Sequence, residues 1–218
     1  MPGPEPAPAP FGVVLAGGES RRYGSPKALA EVGGSRIIDR VVRALRDVVS
    51  DVILSANEPE LFNDLALPTY PDVRPGLGAL GGLHTALLRA REARRPGILA
   101  VACDMPFPCV PLLRRLADEA FGAGEPRPDV VIPESRGRRG MEPLFAAYGV
   151  RCLPAIESAL QEGDRRMIGF HDRVVVRRVP LDVVASLCDP ERAFLNVNTP
   201  EERERAESLA RPEEGRSG

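Results

Sequence analysis

The sequence predicts an α/β fold in which a mostly parallel sheet carries helices on both of its faces. Short apolar runs alternate along the chain with longer segments in which apolar residues recur at helical spacing. Most of the short runs are almost continuously apolar, as in parallel strands that are buried on both faces. Because ligands bind beyond the carboxyl ends of such strands, we expect a site in the loops that follow them.

Six short segments are predicted as strands, the last on an alternating pattern and the others on apolar runs. They are residues 11–16, 51–56, 97–103, 129–133, 144–148 and 173–180. Five segments are predicted as helices: residues 37–49, 80–93, 111–121, 150–161 and a helix that begins near 200. Ser35 is the predicted N-cap of the first helix. Thr199 is the predicted cap of the last one, with Pro200 at its first position.

The bulk properties indicate one cytoplasmic domain. At 218 residues the chain is long enough for a single core, predicted over residues 11–210. Disordered tails are predicted at the Pro-rich residues 1–10 and at residues 211–218. The net charge of −2 argues against a nucleic-acid binder with a broad basic surface, and no apolar run approaches membrane-spanning length. Residues 1–10 also lack the pattern of a signal peptide.

The cysteines indicate neither a metal site nor a disulfide framework. The chain has four cysteines and two histidines, without C-x-x-C spacing and with the histidines far apart in sequence. We therefore expect reduced, buried thiols in a cytoplasmic protein.

Lys27 is the only lysine in a chain whose Lys and Arg together number 29. It ends a glycine-rich loop, residues 17–27, that follows the first predicted strand and offers backbone N–H groups and cations to a polyanion. A compact ammonium suits a site where the planar fork of arginine does not fit. The alternative is a solvated turn with a stray lysine. The loop matches neither the Walker phosphate motif nor G-x-G-x-x-G.

The segment 15–27 reads LAGGESRRYGSPK and resembles the nucleotidyltransferase signature L-A-G-G-x-S-x-R-M-G-x-x-K. Tyr23 stands for the usual Met, and Pro26 stands where an Asp is common. Four further segments, in the same order, resemble motifs of the molybdenum cofactor guanylyltransferases: residues 72–82, 103–107, 142–148 and 194–200. These matches span about residues 11–205. Ala79 departs from the proline of that family in a segment that lies beside the nucleotide base.

The resemblance implies a Rossmann-like fold of the nucleotide-diphosphate-sugar transferase type and a set of site residues. The implied GTP-binding residues are Leu15, Ala16, Gly17, Gly18, Lys27, Asn57, Asp72 and Asp104. Arg22, Lys27 and Asp104 are the implied catalytic residues, and Asn196 and Asn198 the implied pterin-binding residues.

Nucleotidyl transfer itself explains these residue types, because the enzyme has to neutralise phosphate charge more than it has to supply covalent chemistry. Asp104 at a strand end is suited to hold Mg²⁺, with a helix N-cap as the alternative. Arg22 and Lys27 suit the triphosphate, with a surface arginine as the alternative for Arg22. Asp72 would accept from guanine or from ribose hydroxyls, or else it is a turn residue.

Asn57 would contact the base, or else it caps the segment 58–65. Asn196 and Asn198 face the same way if their stretch is extended. For Asn198, a turn with a helix cap is the alternative.

The expected reaction uses GTP and Mg²⁺ to attach GMP to molybdopterin that carries molybdenum, and it releases pyrophosphate. Its expected partners are these substrates and the proteins that load molybdopterin or mature molybdoenzymes, with no nucleic acid and no membrane. Three alternatives remain: a CTP-dependent cytidylyltransferase, a sugar-1-phosphate nucleotidyltransferase, whose members are usually longer, and a non-catalytic carrier of the pterin.

Overall fold

The computed structural model describes residues 8–17, 29–124, 126–137 and 139–210. Nine strands occur in chain order within these ranges. They are β1 (Phe11–Leu15), β2 (Glu31–Val32), β3 (Ser35–Arg36), β4 (Val52–Ser55), β5 (Thr69–Tyr70), β6 (Gly97–Ala102), β7 (Val130–Pro133), β8 (Phe145–Gly149) and β9 (Val176–Val179). Seven of them form one sheet in the order β5-β4-β1-β6-β8-β7-β9, and β2 and β3 pair separately.

The main sheet is mostly parallel, as predicted. The pairs β4–β5, β1–β4, β1–β6 and β7–β9 are parallel. Strand β8 runs antiparallel to both of its neighbours, β6 and β7. The amino end of β8 therefore lies at the same edge of the sheet as the carboxyl ends of the parallel strands.

Seven α-helices accompany the strands in the described ranges. They are α1 (Ile37–Arg46), α2 (Gly78–Glu92), α3 (Val110–Phe121), α4 (Leu153–Gln161), α5 (Leu181–Leu187), α6 (Pro190–Ala193) and α7 (Pro200–Ala210). A 3-10 helix, Pro59–Leu65, precedes β5. The five predicted helices correspond to α1, α2, α3, α4 and α7, although residues 150–152 form a separate 3-10 turn before α4.

Two apolar clusters confirm that helices cover both faces of the sheet. Along β1, Val14 belongs to the cluster that contains the buried residues of α1 and α3. Its neighbours Val13 and Leu15 belong to the other cluster, with α2 and α4. This split follows from the period of two in a strand, which points successive side chains to opposite faces.

The two predicted helix caps have different outcomes. Thr199 is confirmed: its Oγ1 accepts the N–H of Glu202 (3.1 Å), and Glu202 Oε2 accepts the N–H of Thr199 (3.0 Å), as in a capping box. The prediction for Ser35 is wrong. Ser35 lies in β3, and the residue before α1 is Arg36, whose side chain makes no cap but donates to Asp39 (2.8 Å).

No helix among the described residues is long and apolar enough to cross a membrane. The predicted tails, residues 1–10 and 211–218, lie outside the described residues except for positions 8–10.

Candidate active site

The centre of the candidate site is the carboxyl end of β1, between β4 and β6. The N–H of Ala16 donates to the carbonyl of Ser55 on the β4 side (2.9 Å), and the N–H of Cys103 donates to the carbonyl of Leu15 from the β6 side (3.1 Å). Leu15 is buried, whereas Ala16 and Gly17 are half-buried where the chain leaves the sheet. The loop that begins here therefore starts with access to residues from both neighbouring strands.

Three predicted site residues on this loop, Gly18, Arg22 and Lys27, lie outside the described residues. Their roles stay predictions from the sequence.

On the β4 side, Asn57 and Asp72 hold each other through two hydrogen bonds. The Nδ2 group of Asn57 donates to Asp72 Oδ2 (3.1 Å), and the backbone N–H of Asp72 donates to Asn57 Oδ1 (2.8 Å). The side chain of Asn57 is therefore not the cap of the following 3-10 helix, whose preceding residue is Glu58 and which has no side-chain cap. The alternative role considered for Asn57 is thereby excluded.

Asp72 is a buried carboxyl group against the first turns of α2, with 8% of the residue exposed. A Cβ atom on Gly81 would lie 3.3 Å from Asp72 Oδ2, and one on Gly82 would lie 3.0 Å from Ser55 Oγ. The two glycines thus let the helix approach both polar side chains closely. Burial raises the pKa of Asp72, and the hydrogen bond from Asn57 opposes that change.

One oxygen of this carboxyl group needs a donor. Asp72 Oδ1 is buried and makes no hydrogen bond within the described part of the chain. A buried acceptor without a donor costs about 1–3 kcal/mol. A substrate N–H or O–H that reaches this oxygen would remove that cost.

On the β6 side, Asp104 follows the end of β6 and is half-buried. It is not the cap of α3, because that cap is Cys109, whose Sγ accepts the N–H of Leu112 (3.4 Å). The alternative role of Asp104 as a helix N-cap is therefore excluded for α3.

The segment with the two predicted pterin-binding asparagines lies directly beside Asp104. The N–H of Val197 donates to the carbonyl of Asp104 (2.9 Å). Leu195 and Val197 are buried, while Asn196 is half-buried and Asn198 exposed. This alternation is the one expected of an extended stretch, so both asparagines lie on its more exposed side.

Glu142 also belongs to this edge. It begins the motif at residues 142–148, for which the resemblance implies no role of this residue. It precedes β8, and the antiparallel direction of that strand carries it towards the end of β6, where the N–H of Ala102 donates to the carbonyl of Leu144 (2.9 Å). Burial, with the negative charge of Asp104 adding to it, raises the pKa of Glu142 to about 7. The N–H of Leu144, which donates to its Oε1 (3.3 Å), opposes this rise. A glutamate just before a strand is common in sequences. Only the position of β8 in the sheet brings Glu142 close to Asp104.

The oxygen donors at this edge fit a hard divalent cation. Within the described ranges, no three His, Cys, Asp or Glu side chains form a group that could enclose a metal ion. Mg²⁺ does not require such a group, because it usually keeps several waters and binds one or two carboxylates together with substrate phosphates. Asp104, with Glu142 close enough to be influenced by its charge, supplies donors of this kind.

The structure therefore divides the predicted residues into two groups around the end of β1. Asn57 and Asp72 lie on the β4 side, and Asp104, Asn196 and Asn198 lie on the β6 side. A ligand that reaches both groups must cross the carboxyl end of β1.

The sequence is similar to proteins of one enzyme family. The family model of the MobA-like NTP transferase domain matches residues 12–175. A protein of Pelotomaculum thermopropionicum named "probable molybdenum cofactor guanylyltransferase" is 41% identical over 207 residues, which cover 95% of each chain. The molybdenum cofactor guanylyltransferase of Desulfosudis oleivorans is 35% identical, over 90% of this chain and 94% of that one.

Solved structures have the same fold. The molybdopterin-guanine dinucleotide biosynthesis protein A of Archaeoglobus fulgidus superposes with a TM-score of 0.74 at 26% identity, over 91% of this chain and 97% of that one. The 2-C-methyl-D-erythritol 4-phosphate cytidylyltransferase of Thermus thermophilus gives a TM-score of 0.59 at 18% identity, over 92% and 98%. The second likeness concerns the fold alone.

Proposed function

This chain belongs to the family of MobA-like NTP transferases, and from that membership we propose that it transfers GMP from GTP to molybdopterin carrying molybdenum and releases pyrophosphate. The expectation drawn from the sequence motifs agrees with the names of the relatives, which are molybdenum cofactor guanylyltransferases. The nucleotide and the pterin are the two substrates.

The observation that carries the proposal is the arrangement of polar groups on the two sides of β1. A nucleotidyl transfer needs a nucleoside to be held, an α-phosphate to be neutralised and an acceptor to be presented in line with the leaving group. The Asn57–Asp72 pair suits the nucleoside, Asp104 suits the phosphates, and the segment with Asn196 and Asn198 suits the acceptor.

Asp72 supports a nucleotide whose base or ribose offers N–H or O–H donors. The ring N–H and amino groups of guanine, or the ribose hydroxyls, are donors that Asp72 Oδ1 lacks among the described residues. Asn57 holds the Asp72 carboxyl group by its other oxygen, Oδ2, so that the orientation of the carboxyl group is set before the nucleotide binds.

Asp104 is the residue that would hold a divalent cation, for which we propose Mg²⁺. When bound, Mg²⁺ supplies positive charge to the phosphate oxygens and orients the leaving pyrophosphate. Arg22 and Lys27 are proposed to add fixed positive charge to the triphosphate from the loop after β1. The acceptor is the terminal phosphate of molybdopterin, and one of its oxygens attacks the α-phosphorus of GTP.

Asn196 and Asn198 are proposed to bind the pterin, because their amides are both donors and acceptors and so match the mixed edge of a pterin ring. Their segment is joined to Asp104 by the Val197 hydrogen bond (2.9 Å). An acceptor bound there lies beside the residue that would bind the metal ion.

The proposal extends to the place of the reaction in the cell. We propose a cytoplasmic enzyme that receives molybdopterin from proteins that load it with molybdenum and delivers its product to proteins that mature molybdoenzymes. The chemistry supports this order, because the product is a complete dinucleotide cofactor that needs an apoenzyme as its acceptor.

The test is the identity of the product. The purified protein is incubated with Mg²⁺, molybdenum-loaded molybdopterin and GTP labelled in its α-phosphate, and the pterin fraction is analysed by chromatography and mass spectrometry. We expect the label in a guanine dinucleotide of molybdopterin. Pterin that stays bound but unlabelled would instead support a carrier that does not catalyse the transfer.

A further inference from the structure

Two cysteine thiols meet on the face of the sheet that is covered by α1 and α3. Cys109 is the residue before α3, and Cys188 is the residue after α5. The two side chains lie close enough for each thiol to shift the pKa of the other, and the thiol of Cys188 donates to the carbonyl of Val184 (3.7 Å). The Sγ atom of Cys109 is 3.8 Å from the carbonyl oxygen of Leu187, the neighbour of Cys188. Residues that are 79 positions apart in sequence are thus in direct contact.

The pair lines an open cavity of about 410 Å³. Arg40, Arg43 and Arg192 also line this cavity, and the guanidinium of Arg192 lies 4.6 Å from the centre of the Phe107 ring. Asp47 and Asp189 line the cavity as well, so it gives a small solute access to both cysteines past charges of both signs.

The two sulfur atoms are chemically unequal. The Sγ of Cys109 accepts the N–H of Leu112 in the first turn of α3 (3.4 Å). The interaction with Cys188, and after it the bond from Leu112, lowers the pKa of Cys109, whereas the interaction with Cys109 and burial raise the pKa of Cys188. Such an environment is typical of reactive thiols that have a resolving partner.

Cys152 provides the contrast within the same chain. It belongs to the apolar cluster on the opposite face of the sheet, and its Sγ is 3.2 Å from the carbonyl oxygen of Asp129. Burial raises its pKa to about 12. We therefore expect Cys152 to be inert under conditions in which Cys109 reacts.

We propose that Cys109 and Cys188 form a reversible redox pair that is oxidised to a disulfide by hydroperoxides. The Cys109 thiolate attacks the terminal oxygen of the hydroperoxide, the O–O bond breaks, and a proton from solvent completes the alcohol or water that leaves. Cys109 is then a sulfenic acid. The Cys188 sulfur loses its proton and attacks the Cys109 sulfur, the S–O bond breaks, and water leaves. In total, two thiols and one hydroperoxide give one disulfide, one alcohol or water, and one further water.

The position of the pair gives its oxidation a consequence for the candidate site. The chain runs from Asp104 to Cys109 on one side and from Cys188 to Asn196 on the other. A disulfide would join the near ends of these two segments covalently, while the Val197–Asp104 hydrogen bond joins their far ends. The redox proposal does not depend on which nucleotide the protein uses.

The test uses the full-length reduced protein and hydrogen peroxide. After treatment, remaining thiols are alkylated, and the digested protein is searched for cross-linked peptides by mass spectrometry. We expect a Cys109–Cys188 cross-link that dithiothreitol reverses. The Cys188→Ser variant should instead give a sulfenic acid at Cys109 that dimedone traps. Without peroxide, Cys109 should be alkylated at least about tenfold faster than Cys152 at pH 7.

Two further variants serve as matched controls. Cys103→Ser and Cys152→Ser should leave the yield of the cross-link unchanged, whereas Cys109→Ser should abolish it. The proposal is overturned if peroxide leaves Cys109 and Cys188 both open to alkylation. It is also overturned if the dimedone label of Cys188→Ser falls on Cys103 rather than on Cys109.

Discussion

The N–H of Val197 donates to the carbonyl of Asp104 across 2.9 Å, and this single bond joins the two segments that the proposed reaction has to bring together. One segment ends β6 and carries the carboxylate that suits a metal ion. The other carries Asn196 and Asn198, which suit the acceptor. We therefore propose that the donor and acceptor substrates meet beside this hydrogen bond.

Replacing Asp104 with Asn should remove turnover and spare nucleotide binding. The amide keeps the size of the side chain but loses the negative charge that attracts a divalent cation. We expect pyrophosphate release to fall at least about a hundredfold, while GTP still binds in the absence of metal, as measured by calorimetry. Asp118→Asn, an exposed change on α3, is the control and should be neutral. Full activity of Asp104→Asn would contradict the metal assignment.

Replacing Asp72 with Asn tests the nucleoside group. The change replaces a carboxylate, which only accepts hydrogen bonds, with a neutral amide. Because the substrate donor would lose its charged acceptor, we expect kcat/KM for GTP to fall by about 10- to 100-fold. If Asp72 accepts from guanine, the ratio of kcat/KM for GTP to kcat/KM for CTP should decrease. If it accepts from ribose, kcat/KM for GTP and for CTP should fall by the same factor. Asn57→Ala should give a smaller loss in the same direction, since it only frees the carboxyl group to turn. Unchanged kinetics in both variants would exclude the pair from the site.

Replacing Lys27 with Arg should be harmful although it keeps the charge. The prediction follows from the use of a single lysine in an Arg-rich chain, because a guanidinium is wider and holds its charge farther along the side chain. We expect kcat/KM to fall about tenfold or more. Arg21→Lys in the same loop is the matched control. An active Lys27→Arg enzyme would support the solvated-turn alternative.

Glu142 should make stability depend on pH in the protein without nucleotide and metal. The unfolded chain ionises this group near 4.5, whereas the folded protein keeps its pKa at about 7. The folded state thus holds an extra proton between these values, so stability falls as the pH rises through that window. Glu142→Gln should remove this loss and raise the free energy of unfolding by about 1–3 kcal/mol at pH 8, with little difference at pH 4.

Urea unfolding at several pH values measures this effect. The exposed change Glu204→Gln should leave the pH profile of the parent protein unaltered. Parallel profiles for Glu142→Gln and the parent protein would mean that Glu142 is ionised in the folded state at neutral pH.

The sequence predicts the sheet and most helices because their apolar periods are strong. Residues 97–103 form one continuous apolar run, and β6 is buried along its whole length. Elements that depend on tertiary contacts are not predicted by such patterns. An example is β5, which has only two residues, Thr69 and Tyr70, and depends on its pairing with β4. The N-cap prediction for Ser35 is wrong because Ser35 pairs with Val32, and this pairing places it in β3.

The candidate site shows the same division. Asp72 and Asp104 are identified by motifs, and both lie at the expected edge of the sheet. Glu142 begins the motif at residues 142–148, but the sequence gives it no role, because its neighbours depend on the antiparallel β8 lying between β6 and β7. The contact of Cys109 with Cys188 likewise joins distant parts of the chain, and spacing alone does not predict it.

The most direct test of the central claim is pyrophosphate release by the purified protein with Mg²⁺, molybdenum-loaded molybdopterin and each of the four nucleoside triphosphates in turn. We predict release with GTP alone, and none when the pterin is omitted. Release with CTP in place of GTP would contradict the choice of base and retain the reaction type. No release with any of the four would contradict the transfer itself and leave a protein that only binds the pterin.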